Sequence, residues 1–179
     1  VLDHNSTSKE FFDLMKEYEE QHGDRFKCVE AAFPFNFSKL INLGVSFSTG
    51  TYILMLNNDV EIIQNDWVTN MVSFCQHKHI GAVGVKLLYP NDHIQHAGTV
   101  IGLGAVAGHI LVGVYKNSPG YFNCLQTAVN YSAVTAACLM VRRDVYDEVG
   151  GMEEFLEVEY NDVDFCLKII EHGYYNLYL

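Results

Sequence analysis

Short apolar runs alternate with helical patterns through the first half of this chain, and that alternation limits the fold more than any other feature. The clearest run is TYILMLNNDV, Thr51 to Val60. Five of its first six residues are aromatic or aliphatic, and the chain then turns to Asn57, Asn58 and Asp59. Runs without polar alternation fit strands covered on both faces. Strands separated by helices fit a mostly parallel central sheet in a three-layer α/β/α arrangement. The spacing predicts strands at RFKCVEA, TYILMLN, GAVGVKLLY and SAVTAACLMVRR. It predicts helices at NSTSKEFFDLMKEYEEQHG, NFSKLINLGVSFSTG, NDWVTNMVSFCQH, RDVYDEVGG and NDVDFCLKIIEHG. Thr7 and Glu10 have capping-box spacing for the first helix, and Asn65 or Asp66 caps the third. From Ile94 to Asn130 glycines and lone histidines replace the periodic pattern, so loops and short strands are expected there.

Both ends read as cut. VLD at the start reads as the tail of a strand and YYNLYL as a strand beginning, so the sequence is expected to be a single domain, residues 1–179, truncated at both ends. The formal charge of -11 over 179 residues lacks the basic stripe of a phosphate-backbone binder, so nucleic acid is not an expected partner. Cys28, Cys75, Cys124, Cys138 and Cys166 form no C-x-x-C pair and mostly sit in apolar runs, which fits free buried thiols in a reducing compartment.

In open α/β sheets, ligands bind beyond the carboxyl ends of the strands. Asp3 and Asp59 both end apolar runs, and if those two strands are parallel neighbours both acids point into one crevice. A carboxylate beside amide oxygens suits Mg²⁺ or Mn²⁺, which takes substrate phosphates as further ligands. Asn58-Asp59 equally fits a plain turn or a helix cap. Asp162 and Asp164 open the last helix, where acids suit the helix dipole and where one could also act as a general base. His96 and His109, each among glycines and small residues, fit either structural hydrogen bonding or substrate contact.

Five blocks taken in order, VLDHNSTS, PFNFSKLINLGVSFSTGTYILMLNNDVEI, GAVGVKLLYPNDHIQHAGTVIG, VTAACLMVRRDVYDEVGGMEE and YNDVDFCLKIIEHGY, resemble the family 2 glycosyltransferases. They are most similar to bacterial enzymes that build rhamnose-rich and other surface polysaccharides. The resemblance implies a GT-A fold, with residues 1–92 as the nucleotide-sugar half and 93–179 as the acceptor half. It implies metal-dependent, inverting transfer from a nucleotide-diphosphate sugar to a glycan or lipid-linked acceptor. It places the protein in the cytoplasm, at the inner face of the plasma membrane, with peripheral membrane association through regions outside this sequence.

The resemblance also implies roles for single residues. Asp3 matches the acid that reads the nucleotide base, and Asn5, Asn42 and Asn58 join it in donor binding. Asp59 matches the metal carboxylate of the D-x-D motif and Asp162 the catalytic base. GGMEE matches the family's G-G-F-D-E, which lies near the acceptor and sugar, so Glu153 and Glu154 are expected substrate contacts, as is Asn161 beside the base. His96 is expected among them from its own setting among small residues. The chain departs from the family at Asn57, Ile41, Glu153 and Asn161, where Asp, a basic residue, Asp and Glu are usual. Two other readings compete: a non-catalytic glycan- or partner-binding module of the same fold, and a nucleotidyltransferase. The observed start holds no Gly-rich basic loop of the kind the second would need.

Overall fold

The computed structural model describes residues 1–179. Its centre is a five-stranded sheet in the order β3-β10-β4-β11-β9. The strands are β3 (Tyr52–Leu56), β4 (Ile80–Gly84), β9 (Val129–Tyr131), β10 (Cys138–Arg142) and β11 (Tyr175–Tyr178). β3, β4 and β11 run in one direction, as a mostly parallel sheet requires. β10, however, is inserted antiparallel between β3 and β4, and β9 lies antiparallel on β11, so the sheet is mixed. Strands from both sides of residue 92 are interleaved in it.

The strand pattern follows from position. β4 and β10 each have four buried residues in a row because both lie inside the sheet with helices on either face. β3 alternates instead, with Ile53 and Met55 buried and Tyr52, Leu54 and Leu56 less so, because it is the edge strand. On one face, α2 (Phe37–Ser46), α4 (Arg143–Glu148) and α5 (Asn161–Glu171) cover a core that includes Val45, Ile53, Leu139, Val145, Phe165 and Ile169. On the other, α3 (Trp67–Cys75) places Met71 and Cys75 against Val83, Met140 and Leu177.

The N-terminal part stands apart from this sheet. β1 (Leu2–Asp3) pairs in parallel with β2 (Val29–Glu30), and the two form their own small sheet. β1 and β3 are therefore not hydrogen-bonded neighbours, contrary to the idea that Asp3 and Asp59 end adjacent strands. Between β1 and β2 runs α1 (Lys9–His22), which has no buried residue. Its cap is Ser8 rather than Thr7: Ser8 Oγ accepts the Phe11 N–H at 3.3 Å and donates to Glu10 Oε2 at 2.6 Å. Asp66 occupies the cap position of α3 without a side-chain hydrogen bond.

The region after β4 forms short antiparallel pairs, as expected from its broken pattern. β5 (Leu87–Leu88) pairs with β6 (Ile94–His96), and β7 (Thr99–Ile101) with β8 (Ala107–His109). All five cysteines are free; Cys75, Cys138 and Cys166 are buried, while Cys28 and Cys124 are half-buried.

Candidate active site

The stretch Ala133 to Ala137, ahead of β10, organises the site. Its five residues bond four parts of the protein, two of them meeting α5. Ala133 exchanges hydrogen bonds with Thr99 at the start of β7, at 2.9 and 3.2 Å. Val134 N–H points at Cys166 Sγ on α5, 3.5 Å away. Thr135 N–H donates to His96 Nε2 at 3.4 Å, and Ala136 N–H to Asp162 Oδ2 at 3.2 Å. The Ala137 carbonyl accepts the Asn57 N–H at 3.0 Å. The Asn57-Asn58-Asp59 turn, the acid at the start of α5 and the His96 strand thus converge on one loop.

This loop is not the strand that its apolar sequence predicted. A strand would direct its main-chain groups to one or two neighbours, whereas these groups serve several elements. The residues Ser132-Ala133-Val134-Thr135-Ala136-Ala137 are small, which lets partners approach the backbone closely. That run of small side chains was the one sequence signal for the loop.

Asp162 lies in the first turn of α5 and is half-buried. Tyr160, just before it, adopts the left-handed conformation (φ 59°), which is uncommon for a bulky residue and recurs at functional sites. Besides the Ala136 amide, the Asp162 carboxylate accepts the Val163 N–H at 2.8 Å. The neighbouring acids are neutralised: Lys168 Nζ is 3.2 Å from Asp164 and 3.7 Å from Glu153. Asp162 has no cationic partner and keeps lone pairs for an incoming proton.

Asp59 sits in the exposed turn beyond β3 with Asn58, and neither side chain has a hydrogen-bond partner. No group of three or more His, Cys, Asp or Glu side chains could cage a metal ion. One free carboxylate fits a divalent cation whose shell is completed by water and phosphate oxygens. Asp3 is buried, accepts the Ser6 N–H at 3.2 Å, and lines a cavity of about 240 Å³ with Phe12, Met15 and Glu30. Asn5 is exposed beside it, with φ 61°.

Other expected contacts are engaged within the protein. Asn42 Nδ2 donates to the Met152 carbonyl at 2.9 Å and to Glu154 Oε1 at 3.0 Å. Its Oδ1 accepts from Tyr146 Oη at 2.5 Å and from Met152 N–H at 3.0 Å. A Cβ on Gly151, which has φ 69°, would press on Asn42 Oδ1 and the Tyr146 ring. Asn42 therefore pins the Gly150–Glu154 turn to α2. Asn161 is buried and donates to the Val158 carbonyl at 3.1 Å, shaping the approach to α5. Glu153 remains exposed, and the adjacent Phe155 is 92% exposed, so the tip of this turn faces solvent.

His96 departs most from expectation. It is fully buried, and both ring nitrogens face protein groups, so it has no free atom for the substrate contact expected of it. Burial, with His109 beside it, pushes its pKa down to about 3, so the ring is neutral. A cavity of about 440 Å³ lies on the α3 side, lined by Trp67, Phe74, Lys86 and Leu179 among others; neither Asp59 nor Asp162 reaches it.

Comparison with known proteins bears on the family and the fold. Residues 1–150 match the family profile described as Glycosyl transferase family 2. A Sinorhizobium fredii protein of uncharacterized function, y4gI, is 46% identical over 86% of this chain and 17% of its own length. The O-antigen biosynthesis protein RfbC of Myxococcus xanthus is 32% identical over 97% of this chain and 13% of its own length. The chain thus spans less than a fifth of these relatives. Among solved structures, GalNAc-T7 with UDP, GalNAc and Mn²⁺ superposes with a TM-score of 0.75 at 14% identity, over 99% of this chain and 35% of that one. The Pyrobaculum calidifontis mannosyltransferase PcManGT, in complex with GDP-Man and Mn²⁺, gives 0.65 at 16% identity, over 98% and 44%. The fold is GT-A, and the chain belongs to the family 2 glycosyltransferases.

Proposed function

We propose that this domain transfers a sugar from a nucleotide-diphosphate sugar, with inversion, to a glycan or lipid-linked acceptor in surface-polysaccharide synthesis. The observation that carries this reading is the Asp162 carboxylate, free of any cation and tied through Ala136 to the loop that also holds the Asn57-Asn58-Asp59 turn. Asp162 takes the proton of the acceptor hydroxyl as that oxygen attacks the anomeric carbon. The carbon–oxygen bond to the diphosphate breaks on the opposite face, and the leaving oxygen keeps the electron pair. Asp59 would hold a Mg²⁺ or Mn²⁺ ion, which when bound neutralises charge on the departing diphosphate.

Asp3, with Asn5, lies at the nucleotide, and Asn58 flanks the diphosphate. Asn42 and Asn161 act by holding the Glu153–Glu154 turn and the start of α5. Residues 1–92 serve the donor and 93–179 the acceptor. No helix is long and apolar enough to cross a membrane. In this reading a lipid-linked acceptor is met at the cytoplasmic face of a membrane.

The test uses the full-length protein. Asp162→Asn should cut transfer about 100-fold or more while nucleotide binding, read by calorimetry with Mn²⁺, stays unchanged. Asp59→Ala should abolish the Mn²⁺-dependent part of UDP or GDP binding. Equal loss of transfer and binding in Asp162→Asn would overturn the base assignment. Binding indifferent to Mn²⁺ in the wild type would favour the non-catalytic module.

A further inference from the structure

His96 and His109 form a directed pair. His96 Nε2 accepts from two main-chain N–H groups, Gly98 at 3.3 Å and Thr135 at 3.4 Å. A nitrogen that accepts cannot carry the proton of a neutral ring, so the proton sits on Nδ1. That nitrogen lies 3.3 Å from His109 Nδ1, with the rings edge to face and their centroids 4.7 Å apart. His96 therefore donates and His109 Nδ1 accepts, which moves the His109 proton to Nε2. His109 also approaches the Gln95 carbonyl through Nδ1 at 3.3 Å, but once Nδ1 accepts from His96 that contact is not a hydrogen bond. His109 is exposed, and its Nε2 has no partner in the protein.

The mounting is rigid. Gly98 has φ 108°, and a Cβ there would run into the Tyr131 ring, so the tight path from β6 into β7 needs glycine. β8 carries His109 opposite Thr99, and Thr99 is bonded to Ala133. The two amides that hold His96 Nε2 and Asp162 Oδ2 belong to adjacent residues, Thr135 and Ala136.

We propose that His109 presents its Nε2–H to a saccharide hydroxyl in the site, and that His96 is a positioning residue that fixes the His109 tautomer. This rests on the reading of Asp162 as the base. A neutral N–H is the right donor for a hydroxyl oxygen, whereas a diphosphate is better met by a metal or a cation. His96 touches no substrate; it acts through His109.

The test is long-range ¹H–¹⁵N NMR of the chain labelled with ¹⁵N-histidine, at neutral pH. In the wild type, His96 should carry its proton on Nδ1 and His109 on Nε2. His96→Asn keeps an N–H near the place of Nδ1 and should keep the His109 tautomer; His96→Leu should release it to a mixture. A wild-type His109 protonated on Nδ1 would overturn the proposal. Mannose and N-acetylgalactosamine, added at high millimolar concentration, should shift the His109 Nε2–H signal. A shift with these free sugars assigns the hydroxyl to the acceptor. A shift only with GDP-mannose or UDP-GalNAc plus Mn²⁺ assigns it to the donor sugar. No shift with any of these probes would sink the saccharide contact. The tautomer readings do not depend on turnover, so they stand apart from a failure of the Asp162 assignment.

Discussion

Helices α1 and α5 both carry one apolar stripe, yet α5 buries Asn161, Val163, Phe165, Cys166 and Ile169 while α1 buries nothing. On α1, Phe12, Leu14 and Tyr18 remain exposed. The difference lies in what each helix faces. α5 lies on the interior strands of a five-stranded sheet. α1 faces only the two-residue strands β1 and β2, across the cavity that Asp3 lines. Amphipathicity therefore says which side of a helix would be buried, but not whether a surface exists to bury it. For the site, the acid at the base of α5 is held by a full core, whereas the acid expected at the nucleotide stands on a loosely packed unit.

The largest test of that contrast is a pair of truncations. Phe165→Ala empties a fully buried site in the core and should cost about 3–5 kcal/mol of unfolding free energy. Leu14→Ala on α1 should change it by no more than about 0.5 kcal/mol. Urea unfolding followed by tryptophan fluorescence reads both through Trp67, which lies on α3 against the same sheet. Similar losses in the two variants would mean that α1 is held as firmly as α5, and the contrast would fail.

A second test sharpens the view that the sheet half governs global stability. The buried His96 stays neutral in the fold down to about pH 3, but in the unfolded chain it protonates near its ordinary value of 6.5. Below pH 6.5 the unfolded state therefore binds a proton that the native state refuses. The stability this site contributes is fully present above pH 6.5 and falls away as the pH drops toward 3. His96→Asn should flatten the pH dependence of unfolding between pH 6 and pH 4 by about 1.4 kcal/mol per pH unit. An unchanged slope would show that His96 is not held neutral.

Periodic elements were legible in the sequence because burial repeats along them. β3, β10, α2 and α5 all appear near their predicted places, and Asp59 and Asp162 stand out as acids at a strand end and a helix start. The Ala133–Ala137 hub was not legible as a hub. It works through main-chain N–H and C=O groups, which every residue carries, and its apolar side chains read as strand. Asn42 and Asn161 were expected as ligand contacts from the family resemblance, and His96 from its place among glycines and small residues. The structure engages their polar atoms inside the protein, since a buried amide or imidazole without partners would be costly. Sequence alone could not separate β1 from β3, because strand neighbours are set by long-range pairing and not by local pattern.

The smallest effect gives the finest test of the contrast. Ser8 caps α1 by accepting the Phe11 N–H. Removing a cap of this kind typically costs about 1 kcal/mol of local helix stability. If α1 opens independently of the sheet, Ser8→Ala should raise amide exchange in its first two turns about fivefold. The urea midpoint reported by Trp67 should then stay where it is, because the sheet unfolds without reference to α1. A midpoint that falls along with the faster exchange would mean that opening α1 and unfolding the sheet are one event. Asp3 would then stand on the same cooperative unit as Asp162, and the two acids would be positioned by a single fold rather than by two of unequal firmness.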